Sequence, residues 1–161
     1  MRRAACWAWD MPGLARGEMF VHIAPSLQFD GRRLTLVDVA PSTIWLSGTD
    51  AELSYLPTGA FLDRWAERER DLGPGCGCLR GSLSLLDPDA SVAGRAVLEL
   101  SDPRMSASGL TYDARVVDGI VPGESGACVL FLEWQQSAAP GVEARSEARS
   151  EEPVDSRRQM P

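Results

Sequence analysis

Residues 110–116, Leu-Thr-Tyr-Asp-Ala-Arg-Val, set Leu110, Tyr112, Ala114 and Val116 against Thr111, Asp113 and Arg115 in strict alternation. Successive side chains on a strand point to opposite faces, so this stretch reads as a strand with one buried and one wet face. The reading extends outward. Residues 127–134 (ACVLFLEW) are apolar on both faces through Phe131, as a central strand would be. Upstream, 96–100 is strand-like, 82–85 alternates, 43–47 (TIWLS) follows Pro41, and 19–24 is a short apolar run. Leu27 and Phe29 lead into Asp30-Gly31, a hairpin signal because glycine readily takes the positive φ of a tight turn. The return through Leu34, Leu36, Val37 and Val39 changes parity, which predicts a bulge or a change of face. Turn signals fall at Asp87-Pro88-Asp89, Asp102-Pro103, 106–109, Asp118-Gly119 and 122–126.

One stretch breaks the period. From Thr58 to Leu72, Phe61, Leu62, Trp65, Ala66 and Leu72 fall on one helical stripe, with Thr58 placed to cap the first turn and Gly73-Pro74 to end the last. Asp63, Arg64, Glu67, Arg68 and Arg70 form its solvated face. The expected fold is therefore mainly β: a single-domain β-sandwich or flattened barrel of about seven to eight strands with one amphipathic helix. The β-rich domain is expected over 19–134, between a poorly structured segment at 1–18 and a disordered tail at 135–161. That tail carries a short EARS-EARS repeat and like charges four residues apart.

Composition excludes several function classes. The chain has 161 residues, a net charge of −7 and a pI near 4.7, against the basic face that a nucleic-acid binder needs. Nine Arg against sixteen acidic residues place the acidity in 19–134. No stretch approaches the roughly 20 apolar residues of a membrane span. All 16 basic residues are Arg, the imprint of a GC-rich bacterial genome, so no lysine is available as an amine nucleophile. Arg2 and Arg3 open like a signal peptide, but Asp10, Pro12 and Arg16 interrupt the apolar region that should follow, so no export signal is expected.

The motifs that tempt a chemical reading have plainer ones. His22, Asp38 and Ser125 come in the order of a chymotrypsin-like triad, with Ser125 inside Gly123-Glu-Ser-Gly126. A glycine-rich loop between strands and a packed mid-strand histidine account for the same residues, and the triad is declined. The run Gly73-Pro-Gly-Cys-Gly-Cys78 follows a helix rather than preceding one, the wrong order for a phosphate loop. Cys76-x-Cys78 is the most suggestive pair, since two thiols this close bind a soft metal or exchange disulfides, but the chain offers no second pair at zinc spacing. Cys128, in an apolar strand, is expected in the core. Asp87-Pro-Asp89 lacks the glycine and terminal glutamate of a calcium loop. Trp45, Trp65 and Trp134 read as core anchors, with an aromatic ligand face as the sharper alternative.

Four elements in order, Ala40-Pro41-Ser42-Thr43, then Thr58/Phe61/Trp65, then Asp102-Pro103-Arg104, then Leu110-Thr111-Tyr112, resemble a small uncharacterised bacterial β-rich domain family over about residues 19–134. Where that family shows a proline-rich element before its LSLLD strand, this chain has Gly75-Cys-Gly-Cys-Leu79, so the cysteines lie outside the resemblance. The resemblance implies a cell-envelope or secreted setting and brings no activity with it.

Two functions follow as expectations. The first is a non-catalytic binding or structural module without a cofactor, whose partner is a protein or small ligand and not a nucleic acid. The second is a small hydrolase working through a carboxylate pair or, less directly, a Ser-His-Asp arrangement. A buried carboxylate pair favours the hydrolase, and a shallow surface with an exposed aromatic patch favours the module.

Overall fold

Strands form where the period-2 patterns lie, and the helix where it breaks. The structure, a computed structural model, describes residues 18–46, 52–72 and 79–134. Ten strands and one helix follow in the order β1 (Glu18–Ala24), β2 (Ser26–Phe29), β3 (Arg33–Val37), β4 (Ser42–Leu46), β5 (Leu53–Pro57), α1 (Thr58–Leu72), β6 (Leu79–Leu86), β7 (Val92–Ser106), β8 (Gly109–Gly119), β9 (Glu124–Ser125) and β10 (Cys128–Trp134). The domain is mainly β, as expected, and β1 starts one residue inside the segment read as unstructured. The remainder of that N-terminal segment, the tail from Gln135, the Gly73-Pro74 helix stop, and Cys76 and Cys78 lie outside the described residues.

All strands belong to one antiparallel sheet in the order β5-β4-β1-β10-β6-β7-β8-β3-β2-β9. Its two ends, β5 and β9, share no ladder among the described residues. The curl comes instead from two bent strands. Pro25, which cannot donate to a ladder, bends the chain between β1 and β2, and Gly126-Ala127 separate β9 from β10. The pairing keeps one register through both bends, with Ala24 opposite Cys128 and Leu27 opposite Ser125. β2 continues to β3 and β1 to β4, so the sheet wraps around one interior. Phe20, Leu34, Leu36, Leu98, Leu110 and Leu130 fill it, all fully buried. From α1, Phe61 and Trp65 drop into the same core.

Local chemistry sets the turns. Asp30 Oδ1 accepts from the amides of Arg32 and Arg33 at 2.9 and 2.7 Å, and Gly31 takes φ 93°, which closes the β2–β3 hairpin. The β7–β8 hairpin turns through Ala107-Ser108 and needs Gly109, at φ 130°, where a Cβ would lie 2.0 Å from the Leu36 carbonyl oxygen.

Several expectations need correction. Asp102-Pro103 is not a turn: β7 runs through it, with a register shift between Ser101 and Arg104 and Asp102 at φ 53°. A bulge accommodates a proline inside a strand because the extra residue is left unpaired. The parity change after Leu36 is not a bulge, since the β3 ladders are regular, and the chain turns away at Asp38, φ 50°. Two of the ten strands escape the pattern. β9 is two residues inside a turn signal, and β5 carries Leu53 and Tyr55 outward against Ser54 and a single buried Leu56 inward, so its apolar residues do not alternate as an ordinary half-buried strand's do. β10 is central in the sheet, yet Phe131 is exposed, so its second face is not covered as a two-sided core strand would be. In α1, Ala66 is exposed, and the buried stripe is Thr58, Phe61 and Trp65.

Candidate functional site

The buried His22, Thr43 and Thr58 form one connected group with the hydroxyl of the equally buried Tyr112. Alternation puts His22 on the inner face of β1 between Phe20 and Ala24, and Tyr112 on the inner face of β8 between Leu110 and Ala114. β1 and β8 are not neighbours in the sheet, so the two rings meet across the interior of the curl. Thr43 comes from β4 and Thr58 from the first turn of α1.

The hydrogen bonds fix every proton. Thr58 Oγ1 lies 2.9 Å from the Ala40 carbonyl oxygen, which only accepts, so the Thr58 hydroxyl spends its single proton there. Thr43 Oγ1, 3.1 Å away, must then donate to Thr58. His22 Nδ1, 3.2 Å from Thr43 Oγ1, therefore carries a proton and donates. That leaves Nε2 as the acceptor for the Tyr112 hydroxyl at 2.9 Å. The chain runs Tyr112 O–H, His22, Thr43, Thr58, Ala40 C=O, with each group satisfied and each bond polarising the next. The neighbouring backbone closes it off: Thr58 N–H donates to Pro41 O and Ala40 N–H to Ile23 O, both at 2.9 Å. Thr58 thus opens the helix as expected, but its hydroxyl ties α1 to the β3–β4 connection.

Electrostatics agree with this proton count. Burial lowers the His22 pKa to about 3, so the ring is neutral, and burial raises the Tyr112 phenol well above its ordinary range, so it keeps its proton. The Phe61 ring meets His22 edge-on at 4.7 Å, and Trp65 lies 5.9 Å from Tyr112. Thr43, Tyr112 and Phe61 thus touch the histidine directly, Thr58 and the Ala40 carbonyl extend the hydrogen-bond chain beyond Thr43, and Trp65 packs on Phe61 and Tyr112.

No triad is assembled there. Both His22 nitrogens are engaged by Thr43 and Tyr112. Asp38 is exposed at the end of β3, and Ser125 sits on β9 opposite Leu27, five residues along the bent ladder from His22. Every described Asp and Glu side chain is at or near the surface, so no buried carboxylate pair exists among the described residues. Asp30 and Asp89 are held below the ordinary carboxylate range by hydrogen bonds from Arg32, Arg33 and Ser91 within their turns, which is turn chemistry. Cys128 is buried, and burial pushes its thiol up to about 11, the inert form of a core cysteine.

The outer face of the sheet is more open. Tyr55 on β5, Ile44 on β4, Val21 on β1 and Phe131 on β10 stand directly opposite one another along one row. Leu53, Leu46 and Met19 form the row beside it on three of these strands, and Ile23 and Val129 a third on β1 and β10. Tyr55 is 68% exposed, Leu53 52%, Ile23 47% and Phe131 36%, while Val21, at 6%, is recessed between its neighbours in the row. Of the outward side chains on these four strands only Glu133 is charged. The other half of the same face is polar: Glu133, Arg80, Glu99 and Arg115 alternate in sign across β10, β6, β7 and β8, and Arg115 pairs with Glu99 at 2.6 Å. At the flank, Arg64 of α1 stacks 4.3 Å from the Trp45 ring and lies 3.7 Å from Glu18, so it is more than a solvated charge. Trp65 is a core anchor, Trp45 packs half-buried against the core, and the Trp134 side chain is outside the description.

Sequence alternation located His22 and Tyr112 on inner faces but could not pair them. The outer patch escaped because its residues were read as halves of separate strands. Compared with models of protein families, with curated proteins and with solved structures, the chain finds no match in any of the three. No helix among the described residues is long and apolar enough to cross a membrane.

Proposed function

We propose that the protein is a non-catalytic β-rich binding module and that the outer face of β5, β4, β1 and β10 is its binding surface. The observation that carries this is the continuous apolar patch around Tyr55, Ile44, Ile23 and Phe131. Scattered single apolar residues on a surface need no explanation, but a contiguous patch marks an interaction site. Side chains of this size and exposure leave roughly 500 Å² open, in the upper part of the ~300–600 Å² that a monomer's largest patch reaches. The buried His22 group supports the reading from the other side, because a neutral imidazole engaged at both nitrogens and shut away from water is not placed to take a substrate proton.

A photo-crosslinking side chain placed at position 55, and separately at position 120, tests this. Ile120 is 82% exposed and follows β8, which lies three strands beyond β10 in the sheet. Adducts to a macromolecule are expected through position 55 and not through 120. Equal yields at the two positions, or none at 55, contradict the assignment.

A further inference from the structure

We infer that this face binds a second copy of the same chain, the two sheets packing face to face about a two-fold axis. The inference rests on the face being a binding surface and goes on to name its occupant. Three features point to a copy. The first is area: two patches of roughly 500 Å² cover about 1,000 Å² between them, the size at which a specific interface begins. The second is pattern. Along the central row, Tyr55, Ile44, Val21 and Phe131 read aromatic, aliphatic, aliphatic, aromatic, which is alike in both directions. A two-fold axis parallel to the strands, over the β4–β1 boundary, sets the exposed ring of Tyr55 against that of Phe131 of the second copy and Ile44 over the recessed Val21 of the second copy. An isologous interface requires that self-matching. Two twisted sheets also pack naturally at about 10 Å with their strands nearly aligned.

The third feature is charge. Each copy carries −7, so copies repel over most of their surface. The outward side chains of these four strands include only one charge, Glu133, which the same axis sets at the margin against Leu53 of the second copy, with Arg80 directly across the ladder to hold its carboxylate. This is the part of the sheet where two copies meet without opposing like charges, and a partner selected by charge finds little here to recognise.

Sedimentation velocity on the full chain, from about 2 to 100 µM at physiological salt, tests the inference. The expected result is a monomer–dimer equilibrium shifted to the dimer at the higher concentrations. Tyr55→Glu weakens it by about 30-fold or more, because burying a carboxylate at the centre of an apolar contact removes an anchor of the interface. Tyr55 is largely exposed in the single chain, so this variant keeps its fold, verified by an unchanged circular dichroism spectrum and melting temperature. Ile120→Glu, off the face, leaves the dimer intact. A wild-type chain that stays monomeric throughout, or a dimer indifferent to Tyr55→Glu, overturns the inference. Monomeric behaviour together with adducts to another macromolecule through position 55 refutes the copy while leaving the face as a binding surface. Absence of adducts at 55 removes both.

Discussion

Between pH 6.5 and pH 4.5 the folding free energy is expected to fall by about 2–3 kcal/mol, a slope approaching 1.4 kcal/mol per pH unit. The cause is His22. Burial holds its folded pKa at about 3, whereas the unfolded chain exposes a histidine that titrates near its ordinary 6.5. Below pH 6.5 the unfolded state binds a proton that the folded state refuses, so stability is complete above 6.5 and drains away as the pH falls toward 3. No charged side chain is hydrogen-bonded to the imidazole to offset this, since its partners are Thr43 and Tyr112. The depressed carboxylates Asp30 and Asp89 have the same sign but act below the ordinary carboxylate range, so the window above 4.5 belongs to His22. Urea titrations at several pH values give the slope. His22→Leu, which is less stable because it strands the hydroxyls of Thr43 and Tyr112, should be flat across that window. An equal slope in both proteins would show that other groups are responsible.

Trp65→Ala is expected to cost about 3–5 kcal/mol, the range for deleting a large aromatic side chain from a packed core. Trp65 is 2% exposed, 5.9 Å by ring centroids from both Phe61 and Tyr112, and it is one of the two large side chains that α1 sends into the sheet. Its loss leaves a cavity beside the Tyr112–His22 bond and loosens the helix from the curl. In a domain whose whole stability is about 5–15 kcal/mol, that is about a fifth of the total or more. Leu53→Ala on the open outer face should cost under about 1 kcal/mol. A loss below 1 kcal/mol for Trp65→Ala in urea denaturation would mean that α1 is not part of the core.

The local periods were legible in the sequence and the long-range meetings were not. Strict alternation at 110–116 placed Tyr112 inward, and the 3.6-residue stripe gave α1 from Thr58 to Leu72 with Phe61 and Trp65 buried. Nothing in either pattern says that β8 faces β1 across the interior, because that depends on a bend at Pro25 and on the order of ten strands. β5 was missed for a different physical reason. Of its apolar residues Leu53 and Tyr55 face out and only Leu56 faces in, so binary patterning, which assumes apolar means inside, does not register it as half-buried. The residues that defy the pattern are the ones on the surface assigned here to binding. The triad order His22, Asp38, Ser125 carried no geometry, since chain order alone does not bring side chains together.

A closed structural node at His22 leaves the outer face to carry function. Nitrogen-15 correlation spectra of the imidazole, recorded from about pH 8 down to about pH 4.5, test that point most directly. The expected result is one neutral ring throughout, protonated at Nδ1 and bare at Nε2, with no titration step. A midpoint near 6.5, or a proton found on Nε2, would show that the ring reaches water or faces other partners, and would return His22 to the list of catalytic bases.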